Sequence, residues 1–448
     1  MLAKTQLASR MSAEELLERL KNSKFNLAGI TTDVSYLNQE RRMSEHLSKV
    51  FYIADITDKK QRQILRSFSL MPSLLVSGDN AKEWFNLKEL NYLNTLEKKA
   101  WLQGSIYGYM MHPVIASAIR YSDKPTCENS AELLEYFTFA FTYERNEHAT
   151  EAEQLLKRQS MLPHAKSIAN ILEGYSFDDK NKYYSDFVKS ISLVCSILGD
   201  HDAALRYMKT AMKTIGKEDY YEKGAYYNNM GVAHLNKGEY KQALEFLNDA
   251  MKILENLLGK EHPDTAATYG NIGQIHSHLG YYDQALEWHL KALDICEKVL
   301  SKEHPDTATT YNNIAKVYDN QGDYDKAHKW FKKALDVDEK VLGKEHHYTA
   351  TTYNNIAGVY ITQGDYDKAL EWYQKALDIR EKVLGKEHPD TATTYNDIGF
   401  VYDNQGDNDK ALEWYQKALD IREKVYGHNH PYTERVKDTI KICNAKKN

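Results

Sequence analysis

Residues 311–346 read YNNIAKVYDNQGDYDKAHKWFKKALDVDEKVLGKEH, and residues 353–388 read YNNIAGVYITQGDYDKALEWYQKALDIREKVLGKEH. The two stretches begin 42 residues apart. The same step separates a row of equivalent tyrosines along the C-terminal half of the chain, namely Tyr227, Tyr269, Tyr311, Tyr353 and Tyr395. A fixed period of this size indicates a solenoid, in which stacked helical units form one extended surface.

Each copy of the unit predicts two helices. Asp306 or Thr307 can cap the first helix through a side-chain oxygen, and Gly322 can end it in a left-handed backbone conformation. Asp323 caps the second helix, which Gly343 ends. Apolar residues recur at three- and four-residue spacing in both helices, so each helix has one buried face.

Small residues recur where the two helices of a unit must approach each other. They hold one position in the first helix and two in the second: Gly231, Gly273, Ala315, Ala357 and Gly399; Ala243, Ala285, Ala327, Ala369 and Ala411; Ala250, Ala292, Ala334, Ala376 and Ala418. Side chains of this size let two helix backbones pack closely. The tryptophans of the second helix are predicted to lie at the seam between helices rather than to form an exposed stacking platform: Trp288, Trp330, Trp372 and Trp414.

This pattern resembles the tetratricopeptide repeat, in the 42-residue form of kinesin light chains and of many bacterial repeat proteins. The resemblance covers residues 224–426, with one departure at Asn408, where the other copies have tyrosine. It implies an all-α fold, a right-handed superhelix (α-solenoid) of tetratricopeptide units. Less regular copies suggest a degenerate helical repeat over residues 122–183, six repeats over 184–426 and a capping helix over 427–448.

The N-terminal part of the chain does not repeat. Residues 1–36 are expected to form a helical segment, and residues 37–121 predict helices followed by a β-hairpin, WLQGSIYGYMMHP. The layout and the Met-His-Pro turn resemble the winged-helix domain of NB-ARC proteins of the STAND class. That resemblance implies that His112 senses a nucleotide phosphate when an upstream nucleotide-binding domain is present. Pro113 departs from the plant members, which have Asp there, and the alternative is a turn histidine that binds no ligand.

Composition argues against nucleic acid as the main partner. The net charge is −6, and residues 1–120 contain 17 Lys/Arg and 12 Asp/Glu, so the remainder carries −11. The segment Lys82–Lys99, which would read a duplex, mixes glutamates with its lysines. The alternative function that stays open is a winged-helix DNA-binding transcription regulator with a tetratricopeptide ligand-sensing domain.

The chain contains no motif that predicts catalysis. G-x-x-x-x-G-K-[ST], H-E-x-x-H and G-x-S-x-G are all absent, and no two cysteines have paired spacing. We therefore expect no enzymatic activity, no cofactor and no metal. The repeated loop histidines do not change this, since neighbouring repeats sit roughly 10 Å apart, too far for one ion to bind two of them. Isolated cysteines, and the lack of a signal or membrane stretch, favour the cytoplasm.

The first helix of each unit is predicted to line the concave groove. In the kinesin light chain repeats that the array resembles, an asparagine pair at this position holds extended peptide, because a carboxamide both donates and accepts hydrogen bonds. We expect the first asparagine of each pair to contact a ligand and the second to brace the next helix. The residues predicted to bind the partner are Asn228, Gln274, His278, Asn312, Lys316, Asn320, Asn354, Asn396 and Asn404.

The other groove-facing positions, those equivalent to Lys316, Asp319 and Asn320, vary between copies that are otherwise nearly identical. Such variation is expected of a surface that selects one partner; drift at exposed positions is the alternative. The predicted function is protein–protein interaction, with the groove binding a peptide or protein, as the sensor arm of a STAND-type signalling switch. Self-assembly is a further expectation, and neither a membrane nor a nucleic acid is expected as partner.

Overall fold

The computed structural model describes residues 56–72, 74–98, 102–111, 113–142, 151–174, 182–216 and 219–447. Over these residues the chain forms nineteen helices and one two-stranded hairpin, which confirms the all-α class. None of the helices in this part of the chain is long and apolar enough to cross a membrane. The predicted segment 1–36 and the candidate sensor His112 lie outside the described residues.

The chain divides into two compact units, residues 1–143 with 161–191, and residues 144–160 with 192–448. Among the described residues up to 142, three helices precede the hairpin and two follow it: α1 (Lys59–Leu70), α2 (Gly78–Trp84), α3 (Asn91–Lys98), β1 (Gln103–Ser105), β2 (Gly108–Met110), α4 (Pro113–Ser122) and α5 (Ala131–Thr142). The strands pair antiparallel, and Val76 adds one isolated bridge to Tyr109 of β2. Trp84 packs against Phe137 of α5, which fixes α2 on the core of this unit.

The remaining helices are α6 (Glu151–Glu173), α7 (Lys182–Ile197), α8 (His201–Thr214), α9 (Tyr220–Asn236), α10 (Tyr240–Leu258), α11 (Pro263–His278), α12 (Tyr282–Val299), α13 (Pro305–Asn320), α14 (Tyr324–Val341), α15 (His347–Thr362), α16 (Tyr366–Val383), α17 (Pro389–Asn404), α18 (Asn408–Tyr426) and α19 (Pro431–Lys447). Residues of α6 and α7 are divided between the two units. From α9 to α18 the helices form antiparallel pairs of a first and a second helix, one pair per 42-residue unit, and α19 packs on the last pair.

The prediction of the first helix cap was wrong. His304, not Asp306 or Thr307, is the N-cap of α13, and its Nδ1 accepts a hydrogen bond from the Asp306 backbone N–H at 3.2 Å. Pro305 occupies the first helical position. Proline is favourable there because the N–H that it lacks would have no partner within the helix. The loop histidines of all five copies cap in this way, which gives them a structural role: His262, His304, His346, His388 and His430.

The other predicted ends are confirmed. Asp323 accepts from the Lys326 N–H at the start of α14, while Gly322 and Gly343 have φ of 79° and 93°. Such left-handed angles favour glycine, which has no Cβ.

The small residues and tryptophans pack as the sequence predicted. A Cβ placed on Gly399 would come within 2.8 Å of the Tyr415 ring, so the first helix approaches the second as closely as glycine allows. Trp330 is half-buried at the seam, with its ring centroid 5.6 Å from that of Tyr311 and with the Lys333 ammonium 4.0 Å above it. The same arrangement recurs at the tryptophans of the neighbouring repeats.

Candidate functional site

The first helices of successive repeats, which were predicted to line a concave groove, lie next to one another along the array. The first helices α9, α11, α13 and α15 pack in succession on one another. Hydrogen bonds between positions 43 residues apart join them: Asn271 to Asn228 (3.1 Å), Asn320 to Ser277 (3.3 Å), Thr362 to Asp319 (3.1 Å), Asn354 to Asp397 (3.0 Å) and Lys446 to Asp403 (2.7 Å). These side chains form a polar surface along the first helices, here called the floor of the predicted groove.

The predicted asparagines occupy this floor, and several of them hold neighbouring repeats together. Asn228 accepts a hydrogen bond from the next repeat, while Asn312 donates to Thr352 Oγ1 at 2.9 Å. Asn396 hydrogen-bonds the Asp397 carboxylate. All of these side chains are half-buried. Sequence reasoning assigned such bracing to the second asparagine of each pair, but the first takes part in it too. Ligand contact by the first set stays a prediction.

Asn354 belongs to a buried network that sequence reasoning missed. Its Oδ1 accepts from Arg380 Nη1 at 3.4 Å, and its Nδ2 donates to Asp397. Arg380 is 5% exposed and also donates to Thr394 Oγ1 at 2.7 Å. Burial raises the pKa of Asp397, while the hydrogen bond from Asn354 and the positive charge of Arg380 act in the opposite direction and lower it.

The sequence did contain a signal for this network. The position of Arg380 changes in chemical character between copies of the second helix, reading Leu254, Cys296, Asp338, Arg380 and Arg422. Only the structure shows that it faces the seam to the next repeat.

The other predicted residues lie on the solvent side of the same floor. His278, Lys316, Asn320 and Asn404 are exposed, and Gln274 is half-buried. Asn404 donates to the Phe400 carbonyl at 2.7 Å, and His278 stacks on Tyr240 with centroids 5.7 Å apart. These side chains thus lie on the first helices of three repeats, one or two in each.

Lys316 places a positive charge on this surface. Among the described residues, no carboxylate oxygen lies within 4.0 Å of its ammonium nitrogen. Its side chain is open to solvent, but the protein that surrounds the groove partly desolvates the ammonium and lowers its pKa. A cation without a partner in such surroundings favours an anionic group on a ligand.

In the next two repeats, the positions equivalent to Lys316 carry glycine and phenylalanine. Gly358 has open space where a side chain would stand, with no atom within 4 Å of an added Cβ. Phe400 is 45% exposed. The row that reads Lys316, Gly358 and Phe400 therefore combines a charge, a gap and an aromatic ring.

Comparison with protein families agrees with the helical pairs. A model described as tetratricopeptide repeat matches residues 189–256, 222–289, 264–340, 348–424 and 398–446, and a second of the same description matches residues 312–383. The chain belongs to the tetratricopeptide repeat family. No curated protein matches.

The chain is also similar to several solved structures at low sequence identity. The chain is similar to BtubC (BKLC) from P. vanneervenii at 24% identity and a TM-score of 0.39, over 53% of this chain and 93% of that one. It is similar to the apo form of RapI at 19% identity and a TM-score of 0.48, over 65% of this chain and 98% of that one. It is also similar to a STAND protein with a tetratricopeptide repeat sensor from Pyrococcus horikoshii, at 14% identity and a TM-score of 0.39, over 99% of this chain and 68% of that one.

Proposed function

We propose that the concave face binds an extended peptide segment of a protein partner. Tetratricopeptide arrays are generally non-catalytic scaffolds that bind proteins or peptides. The observation that carries the proposal is the row formed by Lys316, Gly358 and Phe400, in which an unpaired cation and an exposed aromatic ring lie over a polar floor. A peptide supplies an anion, an apolar side chain and backbone amides together.

The spacing of the row sets the spacing in the ligand. Lys316 and Phe400 are two repeats apart, which corresponds to about 20 Å at a helix-packing distance of roughly 10 Å. An extended chain advances about 3.3 Å per residue. The proposed ligand therefore has an acidic group and an apolar side chain about six residues apart, with a small or apolar residue over Gly358.

A library of phage-displayed random dodecapeptides, panned on the full chain, tests this function. We expect selected peptides to share the acidic–apolar spacing and to lose binding to Lys316→Glu and to Phe400→Ser. Lys332→Glu is the matched control, because Lys332 is an exposed lysine on the second helix of the same repeat. Peptides that bind Lys316→Glu as well as wild type, or a library without enrichment, would reject the groove.

The finer proposal is that the array is the sensor arm of a STAND-type switch. It is supported by the element order of residues 56–111 as far as the structure describes them. There, three helices precede a hairpin whose second strand is bridged by Val76, as in a winged helix. The hairpin tip is apolar, with Ile106 93% and Tyr107 67% exposed. An apolar tip suits contact with protein better than contact with phosphates.

Two measurements decide between this role and the DNA-binding alternative. If the array relays its occupancy, a selected peptide changes hydrogen exchange in residues 103–110; unchanged exchange rejects the relay. Duplex DNA at low salt is expected not to bind the full chain. Binding that weakens steeply with added salt would favour the transcription regulator.

The proposal also places the protein in the cytoplasm. All four cysteines are buried thiols, and none forms a disulfide: Cys127, Cys195, Cys296 and Cys443. Buried reduced cysteines are usual in proteins of a reducing compartment. Thiol labelling after rapid lysis checks this, since mature protein with oxidised cysteines would contradict it.

A further inference from the structure

A second surface of the array, at the ends of the second helices, has the features of a binding site. Equivalent aliphatic residues stand one per repeat near these ends. In three repeats they are exposed, with Leu257 at 47%, Val299 at 51% and Val341 at 47%. In the last repeat the equivalent Val425 is only 1% exposed. The same structural position is thus open at one end of the array and covered at the other.

The protein's own helix α6 lies against the covered end. The Ala152 N–H donates to the Leu384 carbonyl at 2.9 Å, and the Gln159 side chain donates to the Val425 carbonyl at 2.5 Å. Ala152 and Leu155 of α6 are buried, with 4% and 5% exposed. Residues 144–160 form one compact unit with the repeats, so these contacts lie within that unit.

The chemistry of these contacts follows from helix ends. Leu384 is the C-cap of α16, and Val425 lies in the last turn of α18. Carbonyls at a helix C-terminus have no partner within their own helix, and they carry the negative end of the helix dipole. Ala152 offers one of the free N–H groups at the start of α6, where the dipole is positive.

The spacing of the contacts matches the spacing of the repeats. Ala152 and Gln159 are seven residues apart, which is about 10.5 Å along a helix. Leu384 and Val425 belong to adjacent repeats, so a step of seven residues on α6 passes from one repeat to the next. A helix that crosses this edge therefore meets one repeat with every seventh residue.

We propose that the open edge, defined by Leu257, Val299 and Val341, binds an amphipathic helix of a protein partner whose apolar side chains recur every seven residues. Three contacts at this spacing need about 15 residues of helix. The helix runs along the array as α6 does at the other end, and it caps the carbonyls of the open helix ends with side-chain donors. The proposal concerns a surface separate from the concave groove and does not depend on peptide binding there.

A designed peptide tests the proposal on the full chain. The probe is an 18-residue, alanine-rich helix with leucine at positions 2, 9 and 16 and alternating Glu and Lys on the opposite face. The control peptide has the same composition with leucines at positions 2, 7 and 12, which turns each leucine about 140° from the last and breaks the stripe. Fluorescence anisotropy measures both up to about 1 mM peptide.

We expect the seven-residue peptide to bind more tightly than the control peptide. Val299→Lys and Val341→Lys should each weaken it roughly fivefold, since each removes about half of a valine's burial. Ile442→Lys, at an exposed apolar residue outside the row, is the matched control and should leave binding unchanged. Equal binding of the two peptides, absent binding of both, or equal loss in the Ile442→Lys variant overturns the proposal.

Photocrosslinking distinguishes a partner from the chain itself. With p-benzoylphenylalanine in place of Val299, the probe peptide should become attached to the array. A crosslink from this position to residues of the same chain, formed without peptide, would show that the edge is covered internally and would overturn the assignment to a partner.

Discussion

His289 gives one repeat a stability that depends on pH. It lies on α12, is 1% exposed, and its Nδ1 has no hydrogen-bond partner. The equivalent positions of the other repeats carry apolar or aromatic side chains, Leu247, Phe331, Tyr373 and Tyr415. Burial lowers the pKa of His289 from 6.5 to about 4, because the charged imidazole cannot be solvated there.

The lowered pKa fixes both the sign and the size of the effect. The unfolded chain binds the proton more tightly than the folded chain, so folding stability is complete above pH 6.5 and falls as the solution is acidified toward pH 4. A pKa change from 6.5 to about 4 corresponds to about 3 kcal/mol, of which about 2 kcal/mol is lost by pH 5.

His289→Phe should remove this dependence and stabilise the repeat. The ring fits, because Gly273 faces His289 in the same way that Gly399 faces Tyr415. Loss of the unsatisfied buried nitrogen should raise the free energy of unfolding by about 1–3 kcal/mol at pH 7.5. Urea denaturation followed by circular dichroism, at pH 7.5 and pH 5.0, measures both effects.

The difference between wild type and variant isolates this one site, because other buried histidines titrate equally in both proteins. The reciprocal change Phe331→His is the control and should introduce acid sensitivity in another repeat. If His289→Phe loses as much stability as wild type between the two pH values, the assignment of acid sensitivity to this residue is refuted.

Three further changes test the packing of the array by urea denaturation at pH 7.5. Asn354→Ala should cost about 2–3 kcal/mol, because Asp397 loses a buried hydrogen bond; a cost as small as that of an exposed substitution would contradict the network. His304→Ala should cost about 1 kcal/mol through loss of a helix cap, and His304→Asn should restore most of it. Gly399→Val should cost about 1–3 kcal/mol, because Tyr415 leaves no room for a side chain; unchanged stability would refute that close approach.

Much of the array could be predicted from the sequence because its packing repeats. The 42-residue step fixes which residues are equivalent, so five copies report on each seam, as they do for Trp330 and Tyr311. Local rules also predicted the glycine ends and the Asp323 cap. The histidine caps were missed because an imidazole acceptor is an unusual choice beside Ser, Thr, Asp and Asn.

Features that occur once could not be predicted in the same way. The network of Asn354, Arg380 and Asp397 depends on which second-helix side chain points to the next repeat, and a single variable position does not reveal that direction. The contact of Ala152 with Leu384 joins segments more than 200 residues apart, and it has no periodic signal. Its donor is a backbone N–H, which every residue except proline carries.

That contact restricts how the protein can evolve. In an open solenoid each repeat contacts only its neighbours, so duplication or deletion of one 42-residue unit leaves the other interfaces intact. Here α6 precedes every complete repeat yet bonds to the last two, and His201 Nε2 lies 3.5 Å from the Tyr432 hydroxyl of α19. An extra unit would displace these acceptors by about 10 Å and break the bonds. Near-identical repeats are prone to recombination. In this chain, however, the number of repeats is constrained by the contacts of α6 and α8 with the last two repeats and α19.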